Sequence, residues 1–151
     1  MQSRRNFAVT MRHKNSISQI NLERDKELLK IFRKASSIAG QPANLDRILT
    51  ITACLPVSKF YLSDYWAARY IRDRLRGKTK RFKNQQKQTL YNALFAEFMM
   101  LSKKPENKNK SFETLVDMAL ERPAPVIGLT PGSLRDIIRY RLNIKQYSDR
   151  K

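Results

Sequence analysis

Apolar residues in this chain recur at every third or fourth position rather than at every second, and this spacing constrains the fold more than any other feature. It places Leu28, Ile31 and Ala35 on one side of a helix predicted for residues 22–37. Glycine and proline are sparse, at 4 and 6 of 151 residues, so few positions interrupt a helix. The pattern predicts an all-α fold.

Further helices are predicted for residues 44–55, 63–76, 86–102, 112–121 and from residue 130 onward. Pro56 ends the second helix because proline has no backbone N–H to donate. Ser63 suits the N-cap of the third helix, since its hydroxyl can accept from a free N–H of the first turn. Gly77 is expected to end that helix. Local signals therefore predict where most helices begin and end.

The same order of helices and breaks occurs twice. At a fixed offset of 67, without a gap, Pro56 aligns with Pro123 and Ile71 with Ile138. Two helical chains can match by chance, but here caps, prolines and apolar positions agree together. We expect two tandem, diverged three-helix repeats of helix-turn-helix-like type, packed as one compact body. The predicted organisation is a flexible basic arm (1–20), repeat 1 (21–77), a basic linker (78–85), repeat 2 (86–145) and a tail (146–151).

The segment Phe60-Tyr61-Leu62-Ser63 resembles a Phe-Tyr-[Leu/Val]-[Ser/Thr] element found in a family of small basic bacterial proteins. The second copy departs from this element at residues 127–130, and the similarity covers only the second half of each copy. The resemblance implies no activity.

Lysine and arginine total 31 against 13 acidic residues, giving a formal net charge of +18. Such a charge repels itself, and a polyanion would relieve the repulsion. Phosphate backbones do so through counterion release. The charge therefore favours nucleic acid, DNA more than RNA, as the partner. An anionic membrane surface, an acidic protein partner and simple solubility are the alternatives.

The third predicted helix is the strongest candidate for contact with that partner. Ala67, Ile71 and Leu75 are predicted to face the core, which turns the opposite face outward. That outward face carries Tyr65, Arg69, Arg72 and Arg76. Arginine can fork onto phosphate oxygens, and an aromatic ring can stack. The alternatives are that the arginines form an ordinary solvated face, and that Tyr65 and Trp66 form a lid over the core.

The linker and the second copy complete the predicted nucleic-acid-binding set. The linker is cationic and has no acidic residue, which suits a phosphate backbone better than a base sequence. An ordinary solvated connector is the alternative. Its predicted contact residues are Lys78, Lys80, Arg81 and Lys83. In the second copy Arg135 and Arg139 are candidates, but Asp136 aligns with Arg69, so this copy is expected to bind phosphate more weakly.

Catalysis has little support in the sequence. His13 is the sole histidine and lies in the predicted arm, glycines are too few for a phosphate-cradling loop, and the acidic residues are scattered. We expect no catalytic residue, metal or cofactor. A single cysteine, Cys54, fits a reducing compartment. The lack of a long apolar run predicts a cytoplasmic protein without a membrane span.

The predicted function is non-enzymatic binding of nucleic acid, with duplex DNA favoured. The stretch between the second and third helices is longer than the turn of a helix-turn-helix motif, so the likeness to that motif is imperfect. A helical interaction protein that binds an acidic partner is an alternative, because the helix of residues 86–102 is apolar over a wide arc. An RNA-binding protein is another. The sequence does not predict the oligomeric state.

Overall fold

The computed structural model of this chain describes residues 17–141, which form six α-helices. The helices are α1 (Ile17–Ala39), α2 (Leu45–Cys54), α3 (Asp64–Leu75), α4 (Gln85–Ser102), α5 (Phe112–Leu120) and α6 (Pro131–Asp136). A short 3₁₀-helix (Pro105–Asn107) follows α4, and a π-helical segment (Ile137–Arg141) continues α6. No β-strand is present in residues 17–141, where one isolated β-bridge occurs. The all-α prediction is confirmed.

Side-chain caps determine where the helices after α1 begin. Each of these five helices follows a residue whose side chain accepts a backbone N–H of the first turn. The capping residues are Asn44, Ser63, Asn84, Ser111 and Thr130. The Ser63 hydroxyl accepts from the Trp66 N–H at 3.2 Å, as its position before α3 predicts. The caps satisfy N–H groups that have no partner within the helix, so short-range chemistry sets each start.

The first helix begins at Ile17, which lies inside the arm predicted for residues 1–20. Residues 17–20 are therefore helical rather than part of a flexible segment. A contact in the first turns supports the longer helix, because the Gln19 amide donates to the Glu23 carboxylate at 3.2 Å across one turn. Residues 1–16, with His13, and the predicted tail of residues 146–151 lie outside the described residues.

The core is formed by the apolar stripes of all six helices. Leu28, Leu49, Leu94 and Leu134 are fully buried within it, in α1, α2, α4 and α6 respectively. Leu75 is different: it was expected to face the core, but half of it is exposed. It is the last residue of α3, where Arg76 and Gly77 turn the chain away from the core. Leu75 therefore has the helical spacing of a core residue, but half of its side chain is left uncovered.

The helices pack crosswise, which means that the third helix of each predicted repeat contacts the second helix of the other repeat. α1 packs on α2 and α4 packs on α5, but α3 packs on α5 and α6 packs on α2. An ion pair lies at each of the two crosswise contacts. Arg72 of α3 contacts Glu113 of α5 at 3.5 Å, and Arg135 of α6 contacts Asp46 of α2. Neither predicted unit keeps its third helix on its own second helix, so the two halves of the chain share one core.

The segments that follow α2 and α5 are hydrogen-bonded to each other. Val57 and Ala124, which are 67 positions apart, form an antiparallel bridge with N···O distances of 2.9 and 3.0 Å. The Phe60 N–H also donates to the Leu120 carbonyl at 3.0 Å. These bonds tie the two connections together at the centre of the fold.

Within residues 17–141, no helix has both the length and the apolar character that crossing a lipid bilayer requires.

Candidate functional site

The outer face of α3 carries an exposed cluster of two aromatic rings and one cation. Ala67 and Ile71 are fully buried and hold the helix on the core. This turns Trp66 outward, with the Arg69 guanidinium 5.5 Å from the centre of its ring. Tyr65 meets the Trp66 ring edge to face at 5.1 Å. Trp66 and Tyr65 are 51% and 45% exposed, so about half of each residue lies at the surface.

The linker after α3 folds back against α4 rather than extending into solvent. Gly77 has a φ of +85°, and the Lys78 N–H donates to the Asp73 carbonyl at 2.9 Å, which reverses the chain. Further along, the Phe82 ring stacks on Tyr91 of α4 at 4.8 Å with an interplanar angle of 22°. The Phe82 N–H donates to the Gln88 side chain at 2.9 Å. Phe82 thus anchors the linker.

A cleft of about 590 Å³ lies between the start of α1, the outer face of α3, the linker and α4. Five aromatic residues line it: Tyr61, Trp66, Tyr70, Phe82 and Tyr91. Four cations also line it: Arg69, Lys78, Lys80 and Lys87. Asp73 is the one carboxylate among its lining residues. The cleft therefore combines aromatic walls with an excess of positive charge.

The floor of the cleft is an aromatic cluster. The Tyr70 ring lies 4.8 Å from Tyr91 and 6.1 Å from Phe82. Burial raises the pKa of the Tyr91 hydroxyl, and the neighbouring Tyr70 adds to the increase. The Tyr70 hydroxyl accepts from the Arg74 guanidinium at 3.0 Å. Tyr91 therefore stays protonated at neutral pH and adds no negative charge to the floor.

Cations flank the Phe82 ring. The Nζ atoms of Lys80 and Lys87 each lie 5.2 Å from the ring centre, although one comes from the linker and the other from α4. Ammonium groups at this distance are attracted to the face of the ring. The contact holds two long side chains close to the cleft, where their charges remain in contact with solvent.

Tyr61 forms another wall and is held by a hydrogen-bond network with the half-buried Glu27 and the exposed Ser58. Its hydroxyl donates to the Glu27 carboxylate of α1, which also accepts from the Ser58 N–H at 2.8 Å and the Ser58 hydroxyl at 2.6 Å. Burial raises the pKa of Tyr61 to about 12, and the bond to Glu27 adds to this increase. Burial also favours a higher Glu27 pKa, but the hydrogen bonds from Ser58 and Tyr61 outweigh it, and the Glu27 pKa lies below its usual value.

Replacing Glu27 with glutamine is expected to flatten the acid dependence of stability. Because the pKa of Glu27 is lowered by folding, its contribution is complete above the pKa of the unfolded chain and is lost as the pH falls through the folded pKa. Wild-type stability should therefore fall more steeply than that of Glu27→Gln in urea unfolding between about pH 6 and pH 3. Glu106→Gln, an exposed site, is the control. Equal slopes for wild type and Glu27→Gln would contradict the network.

The structure brings some of the predicted residues to this cleft and leaves others outside it. Arg69, Lys78 and Lys80 line the cleft. Tyr65 lies beside it through its contact with Trp66, while Arg76, Arg81 and Lys83 are exposed along the linker. Arg72 has a different environment, because its guanidinium lies 4.6 Å from the Phe112 ring centre and contacts Glu113.

The predicted residues of the second copy do not line the cleft. Arg135 is half-buried and ion-paired with Asp46. Arg139 is half-buried, and its Nε and Nη2 atoms have no hydrogen-bond partner in the described part of the chain. Arg135 lies on α6, which packs on α2, and Arg139 lies on the π-helical continuation of α6.

Sequence reasoning missed the aromatic part of the site. Tyr70, Phe82 and Tyr91 line the cleft, as does Lys87 in the first turn of α4, which is not among the predicted contact residues. Phe82 could have been identified from the sequence, because it is a single aromatic residue between the cations Lys80, Arg81 and Lys83. Tyr70 and Tyr91 carried none, because their helical positions suit a core equally well.

The residues described here do not form a metal-binding cluster, as no group of three histidine, cysteine or carboxylate side chains comes together within residues 17–141. What the cleft offers chemically is stacking surface, cation–π contact and positive charge. The chain matches no known protein family, no curated protein and no solved structure, so the interpretation of the cleft depends on its own residues.

Proposed function

We propose that this protein binds nucleic acid, holds it mainly through its phosphates, and does so without catalysing a reaction. The observation that supports this most is the gathering of Arg69, Lys78, Lys80 and Lys87 around one cleft that has a single carboxylate, Asp73. Arginine and lysine form strong charge-assisted hydrogen bonds with phosphate oxygens. The net charge of +18 adds a long-range attraction for any polyanion.

Exposed cations extend this surface beyond the cleft. Arg76, Arg81 and Lys83 lie along the same linker and are exposed. A phosphate backbone that enters the cleft can therefore continue along the linker. Contacts with phosphates position a strand but carry no base sequence, so we propose binding with little sequence preference.

The positive charge supports duplex DNA as a target, but α2 and α3 do not have the geometry of a helix-turn-helix motif. Residues 55–63 separate the two helices, whereas a helix-turn-helix motif has a turn of three or four residues. In addition, α3 packs on α5 of the other half of the chain rather than on α2. We therefore do not propose docking of α3 as a recognition helix in the major groove.

We also propose that the chain is a duplication of one three-helix unit, with copies at residues 21–77 and 86–145. The capping pairs Asn44 with Ser111 and Ser63 with Thr130 support it, since each pair is separated by 67 positions. The bridge between Val57 and Ala124 has the same separation. In addition, the third helix of each half packs on the second helix of the other half.

On this interpretation the third helix of the first copy borders the cleft, and the third helix of the second copy does not. At the offset of 67, Ser133 replaces Trp66 and Asp136 replaces Arg69. The second copy thus has neither the exposed ring nor the cation at the corresponding face of its third helix. We propose that α6 contributes stability through its contact with α2, and α3 contributes binding.

The salt dependence of binding tests the proposed function directly. If the four cleft cations each neutralise one phosphate of a single strand, the slope of log K against log salt is about −3. Affinity for a fluorescently labelled oligonucleotide should then fall about 50-fold between roughly 50 and 200 mM salt, measured by anisotropy. Binding that is absent at low salt, or unchanged over this range, would refute the proposal.

Replacing Lys78, Lys80 and Lys87 together with glutamine is expected to make that slope shallower by about 2. The matched control replaces Lys103, Lys104 and Lys108, which are exposed on the loop after α4, and removes the same charge. This control should lower affinity slightly and leave the slope close to that of the wild type. Equal changes in both variants would mean that net charge alone drives binding and that the cleft is not the site.

A further inference from the structure

We infer that the cleft binds unpaired nucleotides of a nucleic-acid strand, with a base stacked on Trp66 and phosphates on its cations. This rests on the proposed function and deepens it, because it names the form of nucleic acid that the site selects. The cleft is lined by five aromatic residues and four cations. Proteins that bind single-stranded nucleic acid combine aromatic side chains with positive charge in this way.

Trp66 offers the stacking surface. Half of it is exposed although it is a large apolar side chain, and it lies on the helix face that borders the cleft. Its partners Tyr65 and Arg69 orient the ring without burying it. Every base has a π-face, so stacking on such a ring tolerates any sequence. A base that stacks here removes apolar surface of Trp66 from water.

Phe82 holds two of the cations of the cleft that can bind phosphate. The ammonium groups of Lys80 and Lys87 lie 5.2 Å from the same ring centre, and the ring is backed by Tyr91. A nucleotide carries a flat base and an anionic phosphate joined by one sugar. Since Tyr91 and the two ammonium groups already cover the Phe82 ring, the base is assigned to Trp66, and Lys80 and Lys87 are placed to bind the phosphates beside it.

A base-paired duplex cannot use the Trp66 ring. Its base faces are hidden within the stack, and a side chain reaches them only when the nucleotide is unpaired or turned out of the helix. Duplex DNA can reach the cations of the rim and linker, but it leaves the stacking surface unused. An acidic peptide would also use only the cations. The aromatic half of the cleft therefore favours a single strand over both.

Trp66 is the sole tryptophan of the chain, so its fluorescence reports on the cleft. We would titrate the protein at low salt with a single-stranded 12-mer, an abasic 12-mer with the same phosphates, and a 12-base-pair duplex. The single strand is expected to quench Trp66 emission and to bind at least about 10-fold more tightly than the abasic strand. The abasic strand and the duplex are expected to bind without quenching.

Replacing Trp66 with alanine should weaken binding of the labelled single strand about 10- to 100-fold, because one stacked base is lost. Affinity for the abasic strand should stay within about twofold of the wild type, since the cations are unchanged. Tyr140→Ala removes an aromatic side chain that is 73% exposed and does not line the cleft, and it should change neither affinity. Circular dichroism of both variants confirms that the helices are retained.

The outcomes separate this inference from the proposed function. Equal affinity for single, abasic and duplex strands, with Trp66 unquenched, would overturn the stacking inference and leave phosphate binding intact. The same holds if Trp66→Ala lowers affinity for the abasic strand as much as for the single strand. A free mononucleotide that binds as tightly as the 12-mer would overturn the assignment to a strand. No binding of any oligonucleotide at low salt would refute the proposed function itself.

Discussion

Replacing Phe60 with alanine is expected to lower the free energy of unfolding by about 3–5 kcal/mol. The Phe60 side chain is among the largest that are fully buried, at 1% exposure, and belongs to the single core that both halves share. Its backbone N–H also donates to the Leu120 carbonyl beside the central bridge. Removing the ring leaves a cavity where the connections after α2 and α5 meet, and packed helices on both sides limit collapse into it.

Urea unfolding followed by circular dichroism at 222 nm measures this loss. The Tyr140→Ala variant serves again as a control, because an exposed ring contributes little and its removal should change stability by no more than about 0.5 kcal/mol. A loss below about 1 kcal/mol for Phe60→Ala would mean that the ring does not fill the shared core.

The second large effect is expected at Gly128, where alanine should cost about 2–4 kcal/mol. Gly128 has a φ of +87°, a backbone conformation that L-amino acids rarely adopt. A Cβ atom added there would lie 2.5 Å from a Leu90 methyl carbon, and Leu90 is itself buried at 3% exposure. Backbone strain and a steric clash within the core therefore act together.

Gly40→Ala is the matched control for Gly128→Ala. Gly40 has a similar φ of +73°, but nothing lies within 4 Å of an added Cβ, so only the backbone cost of about 1 kcal/mol is expected. The difference between the two variants in urea unfolding measures the clash with Leu90. Equal losses would contradict a close approach of Gly128 to α4. Leu90 precedes Tyr91, so Gly128→Ala is also expected to disturb the floor of the cleft.

The cationic half of the candidate site could be predicted from the sequence, but its aromatic half could not. Arg69, Lys78 and Lys80 stand out because charge on a helix face or linker is visible in the sequence itself. Tyr70 and Tyr91 are spaced like core residues, and both are largely buried. That the unburied edges of these two rings border the cleft depends on how α3 and α4 are placed, which no local pattern records.

For Trp66 and Tyr65 the local pattern suggests burial, whereas the structure leaves both rings exposed. An aromatic residue near the start of a helix often covers the core, but here both rings are exposed because Ala67 and Ile71 define the buried side of α3. Leu75 has the correct spacing for that buried side and yet is half exposed. It is the last residue of α3, where the helix ends at the edge of the core. Periodicity predicts a direction around a helix, not whether a neighbour is present.

The sequence alone determined the helical class, the cap at Ser63 and the positive charge. These depend on contacts within one or two turns, where a side chain meets the backbone beside it, or on composition. Only the tertiary structure decided that α3 lies on α5 and α6 on α2, and that the linker folds onto Tyr91. The physical reason is that burial is non-directional, so an apolar stripe specifies that it will be covered but not by which helix.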